Sequence, residues 1–89
     1  MKPAAELAEP GSGRTMAVRT SEPTLQTYYS TLLGGLVGKR GVSYGRHGAV
    51  CLETHRFANA SNLGGKLPTN ILRPGHTYRQ LTVHEFGTV

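Results

Sequence analysis

The sequence predicts an all-β fold of short strands and long loops, and three observations carry that expectation. Apolar and polar residues alternate with period two in several short windows. Twelve glycines and five prolines punctuate the chain, a density that suits turns and disfavours long helices. Several segments between those breaks are rich in Thr, Tyr, Val and Phe, residues suited to a pleated, half-buried surface. At 89 residues the chain fits one small domain, residues 1–89. With 37% hydrophobic residues, two Phe and no Trp, its core is expected to be thin.

Residues 4–9 form a short extended segment. Glu9-Pro10-Gly11-Ser12-Gly13-Arg14 is a turn, because Pro-Gly and Ser-Gly both punctuate the backbone. Thr15–Thr20 follows as a half-buried strand with Met16 and Val18 on one side and Ala17 and Arg19 on the other. The two segments predict a hairpin. Ser21-Glu22-Pro23 breaks the pattern, since Pro23 has no amide donor and belongs at a strand edge or start. Thr24–Ser30 is the next strand candidate. Leu25, Thr27 and Tyr29 share one of its faces, and Gln26 and Tyr28 share the other, which either lines a cleft or faces solvent.

Residues 30–47 carry Leu32, Leu33, Leu36 and Val37 at helix-like spacing. Four glycines within eight residues weaken a helix there, and the segment reads as a long loop with at most a short helical turn. Gly48–Thr54 is an apolar run ending in one carboxylate. As a strand it sends Ala49, Cys51 and Glu53 one way, and Val50, Leu52 and Thr54 the other. Glu53 then lies beside small neighbours, either on the floor of a pocket or at a wet sheet rim. Residues 55–70 are loop, 70–73 a brief extended segment, Pro74-Gly75 a turn, and Thr77–Phe86 the last strand candidate.

Composition narrows the chemistry. The net charge is +5, from ten Lys and Arg against five Glu, yet the cations are dispersed and only Lys39 and Arg40 adjoin. No basic face or nucleic-acid-binding motif gathers them, so nucleic acid is not an expected partner. No run approaches the roughly 18 apolar residues of a membrane span, and Met1–Glu6 lacks the apolar centre of a signal peptide. A soluble, cytoplasmic protein with no membrane partner is expected. Cys51 is the one cysteine, expected as a small buried packing residue. His47, His55, His76 and His84 show no close metal-ligand spacing, so no metal is expected. Neither a phosphate-binding glycine loop nor a nucleophile elbow is present. By elimination Glu53 is the leading catalytic candidate, and paired-carboxylate chemistry would require a second acid that no motif marks.

Three motifs together resemble the aldose 1-epimerase (galactose mutarotase) family. Arg46-His47-Gly48-Ala49-Val50-Cys51-Leu52-Glu53-Thr54 is similar to the family's C-terminal signature, a basic-His pair before Gly-x-x-Cys-Leu-Glu-Thr-Gln. Ile71-Leu72-Arg73-Pro74-Gly75-His76-Thr77-Tyr78 resembles its Leu-Arg-Pro-Gly-x-x-Tyr turn. Gly13–Val18, Thr20–Pro23 and Gln26 resemble the strand pair before its sugar-binding glutamine. The resemblance runs from about residue 4 to residue 86. It implies the C-terminal part of a large antiparallel β-sandwich (a supersandwich), and so an incomplete domain. It also implies interconversion of the α and β anomers of free aldoses such as galactose and glucose in hexose metabolism, with no cofactor. Glu53 matches the base that takes the C1 hydroxyl proton, and Gln26 matches the sugar-binding glutamine. The family's acid histidine and its other sugar contacts belong to upstream sequence, so the isolated chain is expected to be inactive. The missing upstream part of the domain is then an expected partner beside the aldose. Departures from the family pattern include His55, where the family has Gln after Glu-Thr, and Tyr29-Ser30-Thr31 after the glutamine strand. The competing expectation is a catalytically dead β module that binds carbohydrate or a partner chain.

Overall fold

A computed structural model describes residues 1–30 and 34–89. Among these, seven strands follow in order: β1 (Lys2–Glu9), β2 (Arg14–Thr20), β3 (Thr24–Tyr28), β4 (Leu36–Val37), β5 (Ser43–Tyr44), β6 (Cys51–His55) and β7 (Thr82–Thr88). Single turns of 3-10 helix at Lys39–Gly41 and Ala60–Asn62 complete the regular structure. All strand pairing is antiparallel, in three sheets ordered β1-β2-β7, β3-β6 and β4-β5. The all-β class that the sequence predicts is the class observed.

The β1–β2 hairpin forms where the Pro-Gly and Ser-Gly pairs place it. Gly13 has φ +74°, and its amide donates to the Glu9 carbonyl at 2.8 Å. The Glu9 carboxylate caps the same turn by accepting from the amides of Gly11 (2.8 Å) and Ser12 (2.6 Å). The Ser12 hydroxyl and those two amides hold the Glu9 carboxyl below its ordinary range. β2 is the central strand. Its Met16, Val18 and Thr20 share a face with Leu7 and Ala5 of β1 and with Phe86, His84 and Thr82 of β7. Val18 is 1% exposed, the one fully buried large side chain among the described residues. Phe86, opposite Met16 on that face, is 79% exposed, so the apolar face continues uncovered beyond Val18.

Two segments differ from the sequence reading. Residues 36–44 form a small hairpin, β4–β5, within the expected long loop, and the short helical turn allowed there is the 3-10 turn at Lys39–Gly41 between its strands. Its glycines enable the reversal: Gly38 donates to the Val42 carbonyl at 2.7 Å, Arg40 and Gly41 are left-handed, and the Tyr44 ring lies where a Gly38 Cβ would be. The expected turn-rich stretch also includes Thr31, Leu32 and Leu33, which lie outside the described residues. The last strand begins at Thr82 and runs to Thr88, five residues later than Thr77 at its start. Just before it Leu81 is tied to Ser21: its carbonyl accepts from the Ser21 amide and its amide donates to the Ser21 hydroxyl, both at 3.0 Å.

Very little is buried. Among the described residues, Val18 and Ala60 are the buried apolar ones, and Thr20, Glu22 and Ser30 the buried polar ones. The Cα radius of gyration is 17.0 Å, where a compact domain of this length has about 12 Å. The accessible surface is 7176 Å², roughly 2,100 Å² more than a folded monomer of this mass exposes. That excess is the size of a large, stable interface.

Candidate functional site

The β3–β6 ladder builds the site. β-branched and aromatic residues favour both strands, and the register pairs Thr24 with His55, Gln26 with Glu53, and Tyr28 with Cys51. Residues directly opposite in an antiparallel pair project to the same face with Cβ atoms about 5 Å apart. Gln26 and Glu53 come from segments separated by the whole Gly-rich stretch, yet the ladder makes them neighbours. Leu25, Thr27, Leu52 and Thr54 occupy the opposite face.

Both Gln26 and Glu53 are exposed, and among the described residues neither side chain has a hydrogen-bond partner. A carboxylate and an amide side by side on an open face can accept from and donate to a polyhydroxylated ligand. Of the two alternatives for Glu53, a pocket floor or a wet sheet rim, its exposure fits the rim. Cys51 is likewise exposed and not the buried packing residue the apolar run suggested. Period two explains this, since Cys51 shares the Glu53 face while Leu52 and Thr54 turn inward.

Each end of the ladder is anchored. At one end the Arg46-His47-Gly48 segment folds back on β3: the His47 amide donates to the Ser30 carbonyl at 3.3 Å, and His47 Nδ1 donates to the Tyr29 carbonyl at 3.1 Å. The buried Ser30 hydroxyl donates to the Ala49 carbonyl at 3.0 Å. At the other end a chain of hydroxyls joins β6 to the three-stranded sheet. Thr54 Oγ1 lies 2.8 Å from Thr82 Oγ1, which lies 3.1 Å from Thr20 Oγ1. Thr20 donates to the Leu81 carbonyl at 3.2 Å. Each hydroxyl donates once, so Thr82 donates to Thr20 and Thr54 donates to Thr82. Gln80 Nε2 donates to Thr54 at 3.1 Å and also to Thr82.

A second anchor seats the Leu72-Arg73-Pro74-Gly75 turn. Glu22 is 8% exposed; its Oε1 accepts from the Tyr78 hydroxyl, and Oε2 has no partner among the described residues. The hydrogen bond to Glu22 raises the Tyr78 phenol above its ordinary range. Beside this segment a cleft of about 480 Å³ is lined by Thr54, His55, Arg56, Ile71, Leu72 and Tyr78, among others; Gln26 and Glu53 do not line it. Sequence reasoning did not find Glu22, Tyr78, Gln80 or the three threonines as supports. Glu22 and Tyr78 lie 56 positions apart, and the one local sign was Thr54 pointing away from the Glu53 face.

Comparison with known proteins identifies the family. The family model described as aldose 1-epimerase matches residues 1–85. Galactose mutarotase of Sus scrofa is 40% identical over 78 residues, covering 86% of this chain and 22% of the relative. The Mus musculus protein of that name is 36% identical over 84 residues (93% and 24%), and the Homo sapiens protein 39% over 77 residues (85% and 22%). The chain thus spans about a fifth of the length of the curated relatives it matches. The match covers both hairpin strands, the Gln26–Glu53 ladder and the Pro74-Gly75 turn, and the chain belongs to the aldose 1-epimerase family.

Proposed function

We propose that this chain supplies the general base and one sugar contact of an aldose 1-epimerase. The observation that carries the reading is the direct opposition of Gln26 and Glu53 on one exposed face. The Gln26 amide accepts from one sugar hydroxyl and donates to another, fixing the pyranose over the ladder. Glu53 takes the proton of the C1 hydroxyl. As the C1–O bond gains double-bond character, the bond from C1 to the ring oxygen breaks, and an acid on the far side of the sugar protonates that oxygen. Rotation about C1–C2 presents the other face of the aldehyde. The ring oxygen then adds back, returning its proton to the acid's conjugate base, while protonated Glu53 returns a proton to the new C1 hydroxyl. Both halves are general acid–base steps by groups on opposite sides of the ring.

The acid comes from outside these residues. The exposed continuation of the Val18 face and the roughly 2,100 Å² of excess surface suit the remainder of a family sandwich as the completing partner. A second reading, a binding module without catalysis, is favoured by the openness of the Glu53 face. The two separate in one experiment. Residues 1–89 replace the matching segment of the Sus scrofa relative, and polarimetry follows freshly dissolved α-galactose and α-glucose. Acceleration by the completed protein, with none above background from the 89-residue chain, supports the epimerase reading. A folded completed protein that binds the sugar and leaves its anomerisation at the background rate supports the binding module.

A further inference from the structure

Resting on the reading of the Gln26–Glu53 face as the sugar face, we propose that His55 is a third sugar contact and sets which hydroxyl pattern this protein prefers. His55 is paired with Thr24 in the same ladder, so it shares the face of Gln26 and Glu53. It stands two residues beyond Glu53, about 7 Å along the strand, a separation one pyranose ring and its hydroxyls can bridge.

Hydrogen bonding decides what the imidazole offers. The Thr24 hydroxyl donates to the His55 carbonyl at 2.8 Å, with the Arg56 carbonyl a weaker second acceptor at 3.3 Å, so its one proton is committed to backbone carbonyls. His55 Nδ1 lies 3.2 Å from that same Thr24 oxygen and also contacts the Arg56 carbonyl. A carbonyl only accepts, and Thr24 has no second proton, so Nδ1 carries the hydrogen and donates to both. In the neutral ring, Nε2 is left with a lone pair and no partner among the described residues. The ring is half-buried and held on its Nδ1 side, so it is oriented before any ligand arrives. Neutral His55 therefore accepts from one sugar hydroxyl. A glutamine amide, the side chain of the family pattern at this position, can both donate and accept, whereas the neutral imidazole held in this way only accepts. That difference in what position 55 offers changes discrimination among sugars that differ in a hydroxyl.

The test compares His55→Ala and His55→Gln in the completed protein across the parent aldose and its monodeoxy analogues. His55→Ala is expected to lower kcat/KM for the parent sugar about tenfold, and to leave one deoxy analogue, the one lacking the contacted hydroxyl, within about twofold. A uniform loss across all analogues, or no loss, overturns the assignment, because a merely structural role lowers every sugar alike. A second reading needs no turnover: long-range ¹H–¹⁵N spectra of the completed protein labelled at histidine nitrogens and at the Gln side-chain amide. The Nδ1–H tautomer of His55 and movement of its Nε2 signal on adding galactose, together with the Gln26 amide, are expected. Movement of Gln26 with a stationary Nε2 overturns the role of His55 alone. No movement of either overturns the sugar face as well, and loss of that face's catalytic role is read separately from Glu53→Gln.

Discussion

Thr54→Val tests whether the hydroxyl chain holds the strand that carries Glu53. Thr54 is half-buried, accepts from Gln80 at 3.1 Å and donates to Thr82 at 2.8 Å. Valine keeps the shape and removes both bonds. Two neutral hydrogen bonds contribute about 0.5–1.5 kcal/mol each, and Gln80, being exposed, recovers part of its loss from water. The expected destabilisation is about 1–2 kcal/mol. Urea unfolding of the completed protein measures it, with Thr54→Ser as the control that keeps the hydroxyl. Thr82→Val supplies the second edge of a double-mutant cycle, expected to show coupling of about 0.5 kcal/mol or more. Strict additivity, or a serine variant as damaged as the valine one, would refute the directed chain Thr54–Thr82–Thr20.

Three further outcomes follow from the same geometry. Glu9 has its carboxyl held below the ordinary 4.5 by Ser12 and Gly11, so its stabilisation of the β1–β2 turn is fully present above that value. It is lost as pH falls through the lowered one; amide exchange at Gly11 and Ser12 should rise only below that range, and Glu9→Gln should remove the dependence. Cys51 is exposed and should react with a maleimide in the 89-residue chain without denaturant; protection until urea is added would place it inside. The chain alone should self-associate, because its uncovered surface exceeds that of a folded monomer by roughly 2,100 Å²; sedimentation as a monomer with a cooperative thermal transition would contradict this.

The site was more legible in the sequence than its supports. Alternation alone put Glu53 opposite in direction to Leu52 and Thr54, and the structure keeps that division. The pairing of Gln26 with Glu53 is a matter of strand register, which no local pattern fixes across the glycine-rich stretch; the family resemblance singled out both residues, and the ladder places them side by side. Cys51 was misread because an apolar run looks buried on both faces, whereas this two-stranded sheet covers one. The β4–β5 hairpin was missed because Gly38 and Gly41 count against a helix without saying what they favour instead. Glu22 and Tyr78 meet only through the fold. Leu72-Arg73-Pro74-Gly75 was visible as a turn, but not as a turn pinned to the start of β3.

The most direct test of the base assignment is the rate of anomer exchange in the completed protein carrying Glu53→Gln. The amide preserves the shape and a hydrogen-bonding tip but cannot take the C1 proton. A fall of about 10²–10⁴-fold in kcat, with galactose binding retained, is the predicted result. An exchange rate within a few-fold of the unsubstituted protein would contradict it and leave Glu53 a residue of the sheet surface.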